Sequence, residues 1–210
     1  MCGKVGEAPC RRCVTRLRRA PAADPPPGLD ACRSLLVYAG ASRRLVTGLK
    51  YRNHRAALTW LAGRLAPLLA PPSGAVVAWA PTTARRRHRR GFDQAELLAR
   101  ALARRWGLPC RRLLVRTGGG GGAQTGASRA ERHAGPAFAV ARPVRTPVVV
   151  VDDVTTTGAT LRAAAEALRR AGAPWVGAVT VARTPRHLSH PSQGDNKTLK
   201  FAGSSTEYGQ

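Results

Sequence analysis

Apolar and polar positions alternate along the chain in blocks that predict strands and helices in turn. Ser34 to Tyr38 reads as a short strand. Residues 41–50 place Leu45, Val46 and Leu49 on one helical face. A polar break, Lys50-Tyr51-Arg52-Asn53, separates them from a second amphipathic helix over 55–69, with Leu58, Leu61, Leu65, Leu68 and Trp60. Pro71 to Gly74 is a turn, and Ala75 to Trp79 a compact buried strand. A helix is expected from Gln94 to about Trp106 and a strand over Cys110 to Val115. The unbroken β-branched run Val148 to Val151 marks a strand buried on both faces, as in a parallel sheet. A helix from Leu161 to Ala171 and a last strand from Trp175 to Ala182 follow. This alternation predicts an α/β domain with a mostly parallel sheet and flanking helices. Ligands of such a sheet gather at the carboxyl ends of its strands.

The stretch Val148 to Thr160 organises the rest. Asp152 and Asp153 are expected at the carboxyl end of the strand, followed by Thr155, Thr156, Thr157, Gly158, Ala159 and Thr160, then the helix. A strand, a hydroxyl- and glycine-bearing turn and a helix amino terminus form a phosphate site, because free N–H groups and the helix dipole favour an anion. Gly158 allows close backbone approach. The two carboxylates would repel a bare phosphate, but they suit a sugar phosphate, whose vicinal hydroxyls donate to them. The stretch therefore reads as a ribose 5-phosphate cradle. It is neither a Walker loop nor a dinucleotide fingerprint, since Gly-Lys-Ser/Thr and Gly-x-Gly-x-x-Gly are missing from it.

These residues resemble the signature of type I phosphoribosyltransferases that binds 5-phosphoribosyl 1-pyrophosphate (PRPP). The resemblance implies that Asp152 and Asp153 are the catalytic acids holding the ribose 2′- and 3′-hydroxyls. It implies that the loop from Thr155 through Thr160 holds the 5′-phosphate.

A second segment lies between the strand ending at Trp79 and the helix starting at Gln94. Its basic run, Arg85 to Arg90, reads as a solvated charge run, a nucleic-acid patch, or counter-charge for a pyrophosphate at a strand-to-helix loop. Arg90-Gly91-Phe92-Asp93-Gln94 resembles the Arg-Gly-Phe-Asn-Gln segment of the ComF family, competence-type phosphoribosyltransferase-like proteins. Asp93 stands where that family carries asparagine. If it faced pyrophosphate it would weaken binding; as a helix N-cap it is a near equivalent of asparagine, and the cap is the preferred reading.

The resemblance extends to Gln124-Thr125, Arg129, Arg132-His133 and Ala137-Phe138, after a glycine run from Gly118 to Gly122. His133 occupies an asparagine position of the family pattern. In phosphoribosyltransferases this region is the hood that closes over PRPP, so Gln124, Thr125, Arg129 and Arg132 join Arg90, Gly91 and Gln94 as expected pyrophosphate and hood residues. A closing hood suits the chemistry, because departure of pyrophosphate leaves oxocarbenium-like charge that water would trap.

Composition changes the picture in two places. The net charge is +24, from 35 Lys+Arg against 11 Asp+Glu. That suits nucleic acid or a polyanionic small molecule, yet only Lys4, Lys50, Lys197 and Lys200 are lysines, so an arginine-rich coding bias explains it equally. Aromatics make up 5% of residues without a clustered stripe, and so form no evident base-stacking platform. The 5 cysteines include Cys10-Arg-Arg-Cys13, half of a zinc knuckle, with Cys2 upstream. A CxxC partner for Cys2 would fall before Met1, so a start further upstream is favoured; alternatively Cys32 supplies a ligand, or the site has decayed. An odd cysteine count without a secretion signal argues against a disulfide framework. No stretch is long enough to span a bilayer, and the expected location is the cytoplasm.

The expected organisation is a cysteine-rich segment over 1–33, with Cys2, Cys10 and Cys13 as zinc ligands, then a phosphoribosyltransferase-like domain over 34–183. Pro21 to Pro27 is a stiff linker and 184–210 a disordered tail. The family resemblance implies a Mg²⁺–PRPP enzyme that passes phosphoribose to an unidentified acceptor and releases pyrophosphate, linked to DNA uptake. The alternative is a non-catalytic competence accessory that senses PRPP, or binds single-stranded DNA or a helicase.

Overall fold

The computed structural model describes residues 9–51, 56–117 and 136–185. In chain order these form α1 (Arg11–Val14), β1 (Ala31–Val37), α2 (Gly40–Tyr51), α3 (Ala56–Leu65) with a 3₁₀ turn over Ala66–Leu68, and β2 (Val76–Trp79). Then come α4 (Ala84–Arg90), α5 (Gln94–Trp106), β3 (Leu114–Arg116), β4 (Phe138–Val140), β5 (Val148–Thr155), α6 (Ala159–Arg170) and β6 (Val176–Arg183).

The β-branched run lies in β5, which is interior to a parallel sheet ordered β1-β6-β5-β2. Its register sets Val148 to Val151 against Val176 to Val179 on one side and Val76 to Trp79 on the other. Strand side chains alternate between faces, and the core divides accordingly. Val149, Val151, Val77, Trp79, Val179 and Val181 pack with residues of α2, α3 and α5. Val148, Val150, Ala78, Val176 and Ala178 pack with Leu161, Ala164, Ala165 and Leu168 of α6. The expected α/β fold, a mostly parallel sheet with flanking helices, is the one observed.

Beyond shifts of a few residues at helix and strand ends, four differences from expectation stand out. β1 begins at Ala31 rather than Ser34, because Ala31, Cys32 and Arg33 already pair with Gly177, Ala178 and Val179. The expected boundary between 33 and 34 therefore falls inside a strand. The basic run at Arg85 to Arg90 is helical, in α4, where a loop was expected; Thr83 caps its start by accepting from the Arg86 N–H at 3.3 Å, and Gly91 ends it at φ 75°. The expected strand over Cys110 to Val115 is split: Cys110 bridges Val77 at the edge of β2, then the chain leaves and pairs as β3 with β4 in a separate antiparallel ribbon. β5 continues through both aspartates to Thr155 instead of ending before them.

The segment before β1 belongs to the packing of the domain. Arg19 bridges Leu36 antiparallel and covers the outer edge of β1. Unpaired strand edges invite association with other chains, and at the other edge the Cys110 bridge covers part of β2. Leu17 and Leu29 are buried. Asp30 accepts from the Val176 N–H at 2.7 Å and pairs with Arg169 of α6.

Trp175 lies over Gly177, where an added Cβ would sit 2.2 Å from Cη2 of the indole. Gly177→Ala should therefore displace the ring and lower stability by about 1–3 kcal/mol, the usual cost of overpacking. Denaturant titration of both proteins checks this; an unchanged midpoint would mean the indole leaves its place without cost.

Candidate active site

β5 sends Asp152 and Asp153 to opposite faces of the sheet, since consecutive strand residues alternate. Asp153 follows Val149 and Val151 to the α5 face. There it is 8% exposed and accepts from Gln94 Nε2 at 2.6 Å. Asp152 follows Val148 and Val150 to the α6 face and is half-buried. Its Oδ1 accepts from the Asp153 N–H at 2.7 Å, which fixes its rotamer locally.

The loop after β5 is shorter than expected. Thr155 is the last residue of the strand, buried and paired with Arg183, and its carbonyl accepts from the Thr184 N–H. Thr156 and Thr157 are exposed, and Ala159 and Thr160 are half-buried at the start of α6. Thr157 Oγ1 accepts from the Ala159 N–H at 3.3 Å. Gly158 is the N-cap at φ 81°, a conformation that disfavours any Cβ. A Cβ there would also meet Pro26 Cγ at 2.8 Å, so the proline linker lies directly against the loop.

Gln94 joins the two segments that the sequence singled out. Its Nε2 donates to Asp153, and its Oε1 accepts from Arg90 Nη1 at 2.9 Å. An amide between a cation and a carboxylate has one self-consistent orientation, oxygen to the guanidinium and nitrogen to the carboxylate. Gln94 is 8% exposed, and these two contacts place it between Arg90 and Asp153. Gly91 is the left-handed C-cap of α4. Arg85 to Arg89 are exposed along that helix, and Arg90 is half-buried at its end.

Asp93 is the N-cap of α5, as preferred from the sequence. Its Oδ1 accepts from the Ala95 N–H at 3.0 Å and its Oδ2 from the Thr82 N–H at 2.8 Å. Two acceptors facing two backbone donors explain an aspartate here: an asparagine would turn its amide nitrogen toward one of those N–H groups.

Arg116 escaped the sequence reading. It ends β3, with its guanidinium carbon 5.6 Å from the centre of the Phe138 ring on β4. Burial, and then the positive charge of Arg86 on α4, push its pKa below the ordinary arginine value, while Asp152 pulls it up. It thus stands within electrostatic reach of both a basic helix residue and the acid on the α6 face. The only available sequence signal was its place just before the glycine run. Among the expected residues, the structure brings Asp153, Gln94 and Arg90 into one hydrogen-bonded chain. Gln124, Thr125, Arg129 and Arg132 lie outside the described residues, as does Cys2.

Of the expected zinc ligands, Cys10 caps α1 and Cys13 is buried in it, with the Cys13 N–H donating to the Cys10 carbonyl at 2.8 Å. Among the described residues, no three His, Cys, Asp or Glu side chains gather as a metal site. Cys32 lies in β1, where burial raises its thiol pKa against the pull of Arg183 and Arg33; it does not complete a set with Cys10 and Cys13.

The site thus sits on a mostly parallel sheet, with an acid pair on β5 and a glycine-capped helix behind it. The phosphoribosyl transferase domain family matches residues 90–209, more than half of the chain, and the chain belongs to that family. The match runs past residue 183 into the stretch expected to be a tail. Similar solved structures include one described as the allosteric regulatory enzyme of purine biosynthesis, 25% identical, with a TM-score of 0.44 over 60% of this chain. The matched part is 25% of that protein's length. A purine phosphoribosyltransferase from Pyrococcus horikoshii is 19% identical over 61% of this chain and 80% of its own, with a TM-score of 0.37. The protein TT1426 from Thermus thermophilus is 20% identical over 67% of this chain and 88% of its own, at 0.36. No curated protein matches. No helix among the described residues is long and apolar enough to cross a membrane.

Burial raises the pKa of Asp93 despite the backbone donors that lower it. The folded protein thus holds this proton more tightly than the unfolded chain. The stabilising contribution is fully present below the unfolded aspartate value of about 4 and is lost as pH rises through the raised folded value. Wild type should therefore lose stability relative to Asp93→Asn as pH climbs through that window, by at most about 1.4 kcal/mol per pH unit. Melting curves of both proteins from acid to neutral pH check the sign; a gain by wild type would contradict it.

Proposed function

We propose that this chain is a ComF-type phosphoribosyltransferase acting on Mg²⁺–PRPP. The observation that carries the reading is the β5–loop–α6 unit, within the region that matches the family. In the proposed reaction the acceptor's lone pair forms a bond to C1′ of the ribose. The C1′–O bond breaks, pyrophosphate leaves with the electron pair, and the acceptor gives up a proton.

Asp152 and Asp153 accept hydrogen bonds from the ribose hydroxyls, each from its own face of β5, and Gln94 braces Asp153. The N–H groups of the Thr156 to Thr160 turn and the start of α6 take the 5′-phosphate, with threonine hydroxyls beside them. Thr155 anchors the loop from within the strand. Arg90, Arg116 and the α4 arginines supply positive charge where pyrophosphate charge grows. Gln124, Thr125, Arg129 and Arg132 remain the proposed hood.

Aspartates on opposite faces suit separate hydrogen bonds to hydroxyls better than joint coordination of one cation. Mg²⁺ is therefore proposed to arrive with PRPP, where it would supply counter-charge to the leaving pyrophosphate. A structural Zn²⁺ would use Cys10 and Cys13, whose turn supplies two thiols, together with Cys2. The proposed setting is cytoplasmic DNA uptake.

The exposed basic face of α4 supports a second reading, a competence accessory that binds single-stranded DNA or a helicase and senses PRPP without turnover. Calorimetric titration of Mg²⁺–PRPP into wild type and into Asp152→Asn/Asp153→Asn decides the first point. Saturable binding that weakens at least about tenfold in the double variant is expected, matching the worth of charged hydrogen bonds. No binding by a folded wild type would sink the PRPP reading. Release of pyrophosphate with any nucleobase separates the enzyme from the sensor, and salt-sensitive DNA binding that survives loss of both aspartates supports a separate DNA role.

A further inference from the structure

α4 is held together differently from α5 and α6. Its 7 residues bury no side chain, and Arg85 to Arg89 are all exposed. A helix shorter than about 12 residues is marginal in water, and most helices gain stability by packing an apolar face on a core. α4 has no such face. Its charges also work against it. Arg85 and Arg89, like Arg86 and Arg90, are four residues apart and meet along the helix surface, where like charges repel. Arg85 and Arg86 stand at the positive end of the helix dipole, with no acid in that turn. A third cation adds to the repulsion: Arg116, whose pKa burial, and then the charge of Arg86, push down. In favour of the helix are its last-turn cations, which suit the dipole, and its two ends. Thr83 accepts from the Arg86 N–H at 3.3 Å, and the N–H of Gly91, at φ 75°, donates to the Arg87 carbonyl at 2.8 Å.

We propose that α4 is an anion-ordered helix, mostly unfolded in the free protein and folded onto the pyrophosphate of PRPP. The helical form in the structure is then the ligand-ready one. This rests on the PRPP reading above and adds to it that the affinity for PRPP is set by how readily α4 forms. A polyphosphate among the guanidinium groups replaces their mutual repulsion by charge-assisted hydrogen bonds. The ordering step lowers the apparent affinity by the fraction of molecules already ordered. A change that weakens α4 without touching its charges therefore weakens PRPP binding. It leaves the stability of the fold alone, because α4 contributes no buried side chain to the core.

The test weakens the helix from each end in the full chain. Thr83→Ala removes the first cap, and Gly91→Ala strains the last. A Cβ at Gly91 meets nothing within 4 Å, so that variant acts through the left-handed backbone alone. Neither changes a charge. Calorimetric titration of Mg²⁺–PRPP should show each variant weakened by about 5-fold, the usual worth of one cap carried whole into affinity. The melting temperature without ligand should stay at the wild-type value, whereas loss of the same cap from a packed helix lowers it by about 2–4 °C. In wild type, the amides of residues 87–91 should exchange freely with solvent deuterium. Saturating Mg²⁺–PRPP should slow them by at least about 10-fold. Wild-type affinity in either variant, a fall in either melting temperature, or protected amides before ligand is added overturns the inference while the PRPP reading stands. Failure of folded wild type to bind Mg²⁺–PRPP overturns the PRPP reading, and the inference with it.

Discussion

The two-residue period of β5 governs this site more than any single contact. Because consecutive side chains leave a strand on opposite faces, adjacent aspartates cannot share one environment. Asp153 is carried to the α5 face and into a buried bond with Gln94. Asp152 is carried to the α6 face, within electrostatic reach of Arg116 from the β3–β4 ribbon. The paired parallel strands on both sides hold this register, since slipping β5 by one residue would exchange every buried valine between the two cores.

That constraint explains why the helices around the site begin where they do. A buried carboxylate needs donors, and Gln94 provides one only if α5 starts at that residue. Asp93 fixes the start by taking the Ala95 and Thr82 N–H groups on its two oxygens. The bond to Thr82 also ties the cap back to the chain leaving β2, so the short basic helix between them is held at both ends. Its own caps, Thr83 and Gly91, confine the arginine run to about two turns.

Much of this was legible in the residues. The valine run, the amphipathic stretch of α5 and the glycine-bearing loop before α6 each carry a local signal strong enough to survive packing. Asp93 was legible as a cap because position and chemistry agree, a short acidic side chain just before an apolar-periodic run. What stayed hidden is long-range. Nothing local shows that Ala31, Cys32 and Arg33 pair with β6, because their pattern is broken by polar residues and preceded by prolines. The helical state of Arg85 to Arg90 was masked by its charge: like charges repel along a helix, so the run read as solvated loop until its two caps were placed. Arg116 had no signal of its own, since its neighbours Asp152, Arg86 and Phe138 come from three distant parts of the chain.

The proline linker shows how far the site draws on the rest of the molecule. From sequence, Pro21 to Pro27 is a spacer. In the fold, Pro26 occupies the space a Cβ at Gly158 would need, and Gly28 lies against Ala165 of α6. Asp30 then ties the linker's end to Arg169 and to the start of β6. A stiff segment with little conformational entropy to lose is thereby packed along the helix whose amino terminus faces the proposed phosphate. The loop's glycine is constrained twice, by its left-handed backbone and by the proline over it. The conformation of the turn is therefore set from outside the turn as well as within it, and the segment bearing Cys10 and Cys13 is continuous with the packing that sets it.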